Sequence, residues 1–347
     1  MFKNRVIITG GLGFIGTNLI LNLIKSKYKI LNLDKNSDSS NKKLINYYHN
    51  NYLYKKIDLS KSGNEHQILK IIEKFKPQII INLAAESHVD KSIDNPKKIY
   101  TSNVNCTLNL LLAINRSILK KKIKLIHFGT DEIYGDLSLH SKKKFTENSR
   151  YFTSNPYSAS KAAQINLIQS FIRTYNINAI IINPCNNYGF YQYPEKLIPR
   201  SIRLILSNKP VELYGNGKNR REWTFIDDTV EAIKIIIKKG KIGHIYNLST
   251  EKWGGNISNS LLIKKIFKIL RQLNKNYFLK INYVKDRPGH DLQYSTSGKK
   301  IIALGWKPKY SLEKGIKKTL LWYLNEENVA LFKKKLFLKR FGLINKK

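Results

Sequence analysis

Residues Arg5–Gly16 read RVIITGGLGFIG, and the order of residue types in this stretch sets the fold. Arg5–Thr9 suits a buried strand and runs straight into Gly10, Gly11, Gly13 and Gly16, after which Asn18–Lys25 carries apolar residues at helical spacing. Glycine at such a junction permits a tight turn and lets the backbone approach a pyrophosphate, which then meets the first amides of the helix. Asp34 follows the next apolar run, Lys29–Leu33, eighteen residues after Gly16. A carboxylate there binds the adenine ribose hydroxyls of a dinucleotide, so the cofactor is expected to be NAD. Only the neighbouring Lys35 would suit a ribose phosphate instead.

The same alternation continues outward. Gln78–Leu83, Lys124–Gly129 and Ala179–Asn183 read as strands, and Gln67–Phe75, Val104–Asn115 and Ala159–Tyr175 as helices. Strands alternating with helical segments predict an α/β, doubly wound parallel Rossmann sheet. After Asn183 the alternation stops at PCNNYGFYQYPEKLIP (184–199), an ordered-loop composition that opens a smaller, mixed α/β C-terminal domain for substrate. The expected division is 1–183 for the NAD-binding domain, 184–330 for the second domain and 331–347 for a basic tail. The chain returns to the first sheet around 225–250 through a strand at His244–Leu248.

With 347 residues, 42% of them hydrophobic, the chain has material for sizeable cores, which excludes a small stapled module and general disorder. The two cysteines, Cys106 and Cys185, provide neither a disulfide framework nor metal-ligand spacing, so no metal is expected and a reducing, cytoplasmic setting fits. No signal-peptide pattern opens the chain, and no apolar run approaches the roughly 20 residues that span a bilayer. Lys+Arg number 62 against 24 Asp+Glu, a net charge of +38. The lysines are scattered among frequent Ile and Asn, whereas nucleic-acid binding concentrates charge on one element, so no specific nucleic acid is expected. The exception is Leu331–Lys347 (LFKKKLFLKRFGLINKK), which reads as a terminal helix with solvated lysines, or else a basic amphipathic surface binder.

Three groups carry chemistry. Tyr157 and Lys161 (PYSASK) stand four residues apart, one turn apart on one helix face. A phenol of ordinary pKa near 10 serves as a base at neutral pH only when cations, here Lys161 and an oxidised nicotinamide, stabilise the phenolate. Thr130, Asp131 and Glu132 follow the fourth strand, at the carboxyl edge where such sheets bind ligands, and two adjacent carboxyls can divide into acid and base. Lys196, Arg221, Arg287 and His290 lie in second-half loops and suit a diphosphate, although in so basic a chain their spacing alone says little.

Taken in order, TGGLGFIG, LAAESHVDKSI (83–93), GTDEIYG (129–135), NPYSASKAA (155–163), NNYGFYQYPEKLIP (186–199), REWTFIDD (221–228) and DRPGHD (286–291) closely resemble the dTDP-glucose 4,6-dehydratases of the extended short-chain dehydrogenase/reductase superfamily. The Asp-Glu pair after the threonine distinguishes these from epimerases and decarboxylases. The resemblance implies a hydro-lyase. Tyr157, helped by Lys161 and Thr130, deprotonates the sugar 4-hydroxyl as hydride leaves for NAD. Glu132 takes the carbon 5 proton while Asp131 protonates the departing 6-hydroxyl, and hydride returns to carbon 6. The product would be dTDP-4-dehydro-6-deoxyglucose, a precursor of rhamnose and related deoxysugars.

It further implies cofactor contacts at Phe14, Ile15, Asp34, Lys35, Asp58, Leu59, Leu83, Ala84, Ala85, Ser102, Tyr157, Lys161 and Asn187, beside the glycines. Nucleotide-sugar contacts fall at Ser87, Thr130, Asn186, Lys196, Leu197, Arg221, Asn256, Arg287 and His290. A homodimer pairing Val104–Asn115 and Ala159–Tyr175 is implied as well. The chain departs from the pattern at Cys106, Cys185, Phe190, Glu222, Thr229, Gln293 and Ser297, none of them in the catalytic set. Two alternatives stand beside this reading: a related NAD-dependent epimerase or decarboxylase, and an inactive basic RNA- or surface-binding protein on the same scaffold.

Overall fold

Runs of Ile, Val and Leu become strands where both faces of a sheet are covered. The computed structural model describes residues 4–26, 28–250, 253, 256–273 and 276–329. Seven parallel strands form its main sheet: β1 Arg5–Thr9, β2 Lys29–Asp34, β3 Tyr52–Lys56, β4 Ile79–Asn82, β5 Lys124–Phe128, β6 Ala179–Pro184 and β7 Ile245–Leu248. Their order across the sheet is β7-β6-β5-β4-β1-β2-β3. Ile7 sits opposite Leu31 on one side and Ile80 on the other. Strand order reverses between β1 and β4, and doubly wound sheets bind ligands outside the carboxyl ends at that point.

Five helices cover the sheet: α1 Phe14–Leu23, α2 Asn64–Phe75, α3 Cys106–Arg116, α4 Pro156–Tyr175 and α5 Ile226–Lys239. Alternation along β1 divides them. Ile7 packs with Ile72 of α2, Leu111 of α3 and Ile165 of α4, while Val6 and Ile8 pack with Leu19 of α1 and Ile233 of α5. A third core gathers Ile202, Leu262 and Leu320 from helices Leu197–Leu206, Asn259–Leu273 and Leu312–Leu324. Beside it lie two-stranded pairs, Val211–Tyr214 parallel to Ile281–Val284 and Arg220–Arg221 antiparallel to Ile257–Ser258.

Differences from the sequence reading have local causes. β3 (YLYKK) carries lysines and an exposed Leu53 because it is the sheet edge, so it shows no apolar run. Helix α4 begins at Pro156, before the apolar pattern does, because Asn155 and Ser158 form a reciprocal capping box ahead of a proline in the first turn. Helix α1 starts at Phe14 rather than Asn18, directly on the glycine turn. The chain does return to the sheet through α5 and β7, and it returns once more: Ile301 and Trp306 join the core of α1 and α5. The basic stretch Leu331–Lys347 lies outside the described residues.

Candidate active site

Local chemistry at the end of β1 builds a cradle. Gly10 has φ of +68°, and a Cβ there would stand 2.7 Å from the Ala84 amide nitrogen at the end of β4. A Cβ on Gly16 would stand 2.5 Å from the Gly10 carbonyl oxygen. Side chains at these positions would therefore collide with neighbouring backbone and force the turn open. Gly13 caps α1 without a side-chain bond, and the first amides of a helix have no intrahelical partner, so they face the cavity as anion donors. The Asp34 carboxylate accepts from the Leu12 and Asn36 amides at 3.0 and 2.8 Å and keeps lone pairs for ribose hydroxyls. Lys35 is paired with Glu86 at 3.0 Å, which diverts the cation that a ribose phosphate would need. These residues fit NAD.

The cavity measures about 800 Å³ and is walled by Gly10, Gly13, Phe14, Ile15, Gly16, Lys35, Leu83, Ala85 and Asn187, with Tyr157 and Lys161 at the same wall as Thr130, Asp131 and Glu132. A recess of about 100 Å³ continues along Asp34, Asp58, Leu59, Ala84 and Ser102. Apart from Gly11, which packs inward against Asn32, the cofactor residues named from the sequence line the cavity or its recess.

At the other end, Thr130 lies two residues beyond β5 and its hydroxyl accepts from the Glu132 amide at 3.3 Å, starting a tight turn over Asp131–Tyr134. Tyr134, buried, donates to Asn247 at 2.8 Å and accepts from Asn183 at 3.1 Å, which anchors that turn to β6 and β7. Asp131 is 2% exposed, and its Oδ2 has no hydrogen-bond partner among the described residues. Burial, then the neighbouring Glu132 and Glu222, push its pKa well above the carboxyl range. Burial also raises Glu132, opposed by Arg287 and Arg221. The two carboxyls therefore sit in different environments, the requirement for one acid and one base. Burial raises Tyr157, whose hydroxyl hydrogen-bonds Thr130, and burial lowers Lys161 to about 7, with Nζ donating to the Phe128 carbonyl at 2.5 Å.

The raised Asp131 carries a stability consequence. In the folded state it keeps its proton at pH values where the unfolded chain, with a carboxyl pKa of about 4, has lost it. Ionisation then favours unfolding, so stability contributed here falls as pH rises from about 4 through the folded pKa. Asp131→Asn removes that dependence. Urea unfolding should show the substituted protein gaining on the parent between pH 4 and 8; parallel pH curves would refute a neutral Asp131.

Residues from the second half close the cavity. Ser87, Asn186, Lys196, Leu197, Arg221, Arg287 and His290 line an adjoining pocket of about 230 Å³ that Glu132 also reaches. Lys196 donates to the Ser87 carbonyl at 2.8 Å, and Arg287 pairs with Asp90 at 3.3 Å. Asn256 is the exception. Its side chain accepts from Arg220 Nε at 3.1 Å and donates to the Tyr294 carbonyl at 3.2 Å, and it lines a separate groove beside Lys142 and Lys144. Sequence reasoning did not single out Tyr294 or Asp291. Tyr294 donates to Glu132 at 3.4 Å and lies beneath Arg221, whose guanidinium is 4.2 Å from the ring centre.

Several departures from the family pattern are accommodated. Glu222, fully buried, accepts from Ser249 at 2.6 Å and from the Thr296 amide at 3.0 Å. Thr229 donates to Asn187, and Phe190 packs edge-on against Phe225 at 5.4 Å.

The arrangement has relatives. A family model described as GDP-mannose 4,6 dehydratase matches residues 7–319. The dTDP-glucose 4,6-dehydratase of Haemophilus influenzae is 39% identical over 339 residues, covering 92% of this chain and 98% of that protein. The chain belongs to the dTDP-glucose 4,6-dehydratase family. Among solved structures of that family, the Bacillus anthracis enzyme in complex with NAD is 34% identical, with a TM-score of 0.82 over 96% of this chain and 99% of its own. The Streptomyces venezuelae enzyme, also with NAD bound, is 30% identical, with a TM-score of 0.84 over 96% and 99%. The family's parallel Rossmann sheet is the one that the Arg5–Gly16 turn and the strand–helix alternation predict.

Proposed function

We propose that this chain is an NAD-dependent hydro-lyase that converts dTDP-glucose to dTDP-4-dehydro-6-deoxyglucose. The observation that carries this reading is the meeting of Thr130, Asp131, Glu132, Tyr157 and Lys161 at one wall of the cavity that the glycine turn opens. NAD, when bound, supplies the acceptor for the carbon 4 hydride and its return to carbon 6. The protein's own groups do the proton work. Tyr157 Oη takes the 4-hydroxyl proton, held in place by Thr130, with Lys161 one turn away on α4. Glu132 removes the carbon 5 proton, acidified by the neighbouring ketone. Asp131, kept protonated by burial, gives its proton to the leaving 6-hydroxyl. Arg221, Arg287, Lys196 and His290 suit the diphosphate.

The same reading takes residues 1–183 as the cofactor domain and 184–330 as the nucleotide-sugar domain, with two returns of chain to the first. It makes the enzyme a homodimer paired through α3 and α4, beside which Ile118 is 88% exposed. The reading also places the enzyme in the cytoplasm; among the described residues no helix is long and apolar enough to cross a membrane.

The test is incubation of the protein with dTDP-glucose and catalytic NAD, followed by mass spectrometry of the nucleotide sugar. Loss of one water is expected. Folded protein that retains NAD and leaves dTDP-glucose unchanged would overturn the substrate assignment.

A further inference from the structure

We propose that Tyr294, Asp291 and Ser154 form a relay that exchanges the proton held by Glu132 with solvent. The proposal rests on the dehydratase reading, in which Glu132 takes the carbon 5 proton.

One hydroxyl faces two carboxyls. Tyr294 is 2% exposed, and its Oη donates towards Glu132 Oε2 at 3.4 Å and also towards Asp291 Oδ2. A phenol has a single hydrogen to give, so it serves one carboxylate at a time. Asp291 is equally buried, and its other oxygen accepts from Ser154 Oγ. Ser154 is half-buried in the surface stretch that carries the exposed Phe152. Three residues thus join the cleft base to the protein surface. The ring of Tyr294 is fixed by the Arg221 guanidinium above it and by Asn256 at its carbonyl. Burial keeps the phenol protonated, so it passes protons rather than storing charge.

The steps balance. Once Glu132 holds the substrate proton, its O–H breaks as a bond forms to Tyr294 Oη, while the hydrogen of Tyr294 moves to Asp291 Oδ2. Glu132 is left ionised and Asp291 neutral. Asp291 loses that proton to solvent at the Ser154 end, and the reverse sequence delivers a solvent hydrogen to Glu132. Glu132 then returns it to carbon 5. Exchange through the relay therefore competes with direct return of the substrate's own hydrogen.

The experiment runs conversion of carbon 5-protiated dTDP-glucose in deuterated water, with proton NMR reading the carbon 5 position of the product. The parent enzyme should place deuterium there. In Tyr294→Phe the retained protium should rise at least about fivefold, because a phenyl ring neither accepts nor donates. Ser154→Ala should raise it in the same direction, and decides the matter if the buried substitution does not fold. A merely structural role for Tyr294 lowers turnover without altering this partition. Full deuteration by both variants would overturn the relay even as the dehydratase reading stands. A parent enzyme that converts no substrate removes the reading and the relay together.

Discussion

Tyr157→Phe is expected to lower kcat about 10³-fold, within the range that removal of a general base produces, and to leave KM within about threefold. The substitution deletes one oxygen from a buried ring that stays on α4 behind the Asn155 cap, so the fold is retained. What is lost is the acceptor for the 4-hydroxyl proton, without which carbon 4 cannot become a ketone and no later step begins. The measurement is single-turnover formation of reduced nicotinamide from dTDP-glucose. A Tyr157→Phe enzyme that still forms it at the parent rate would transfer the base role elsewhere.

The parts of the molecule that were legible in sequence are those whose cause is local. The Gly10–Gly16 turn, Asp34 at the end of β2 and the Tyr157–Lys161 spacing depend on neighbours within a turn or a strand, and the structure gathers them on one cavity. β3 was not legible because an edge strand bearing Lys55 and Lys56 lacks the apolar signature of its neighbours. Asn256 shows a different limit. Arg220 and Arg221 adjoin on one short strand, and successive strand residues face opposite ways, so the two guanidiniums diverge. Arg221 reaches the pocket beside Glu132, whereas Arg220 and Asn256 bond to each other in the separate groove. Which of two adjacent arginines faces a ligand follows from register against Ile257–Ser258, a pairing no motif declares. Tyr294 meets Glu132 across 162 residues of chain, and the DRPGHD motif stops short of it.

Glu132→Gln should separate the two halves of the reaction. Glutamine has the volume of glutamate and keeps a carbonyl oxygen to accept from Tyr294, but it has no useful basicity. Oxidation at carbon 4 uses Tyr157, so reduced nicotinamide should appear on mixing with dTDP-glucose and then persist, while water loss falls about 10³-fold. Charge favours retention of the first step. In the parent, Glu132 adds a negative charge that raises the Tyr157 pKa, and its removal leaves Arg221 and Arg287 facing the site with one carboxylate fewer. Deprotonation of Tyr157 is thereby made easier, and carbon 4 oxidation should hold its rate or rise. Carbon 5 of the stalled sugar should keep its protium in deuterated water, since the group that removes it is gone. Loss of oxidation together with elimination, in protein that folds and retains NAD, would place Glu132 in the first step and undo the division of labour between the two carboxyls.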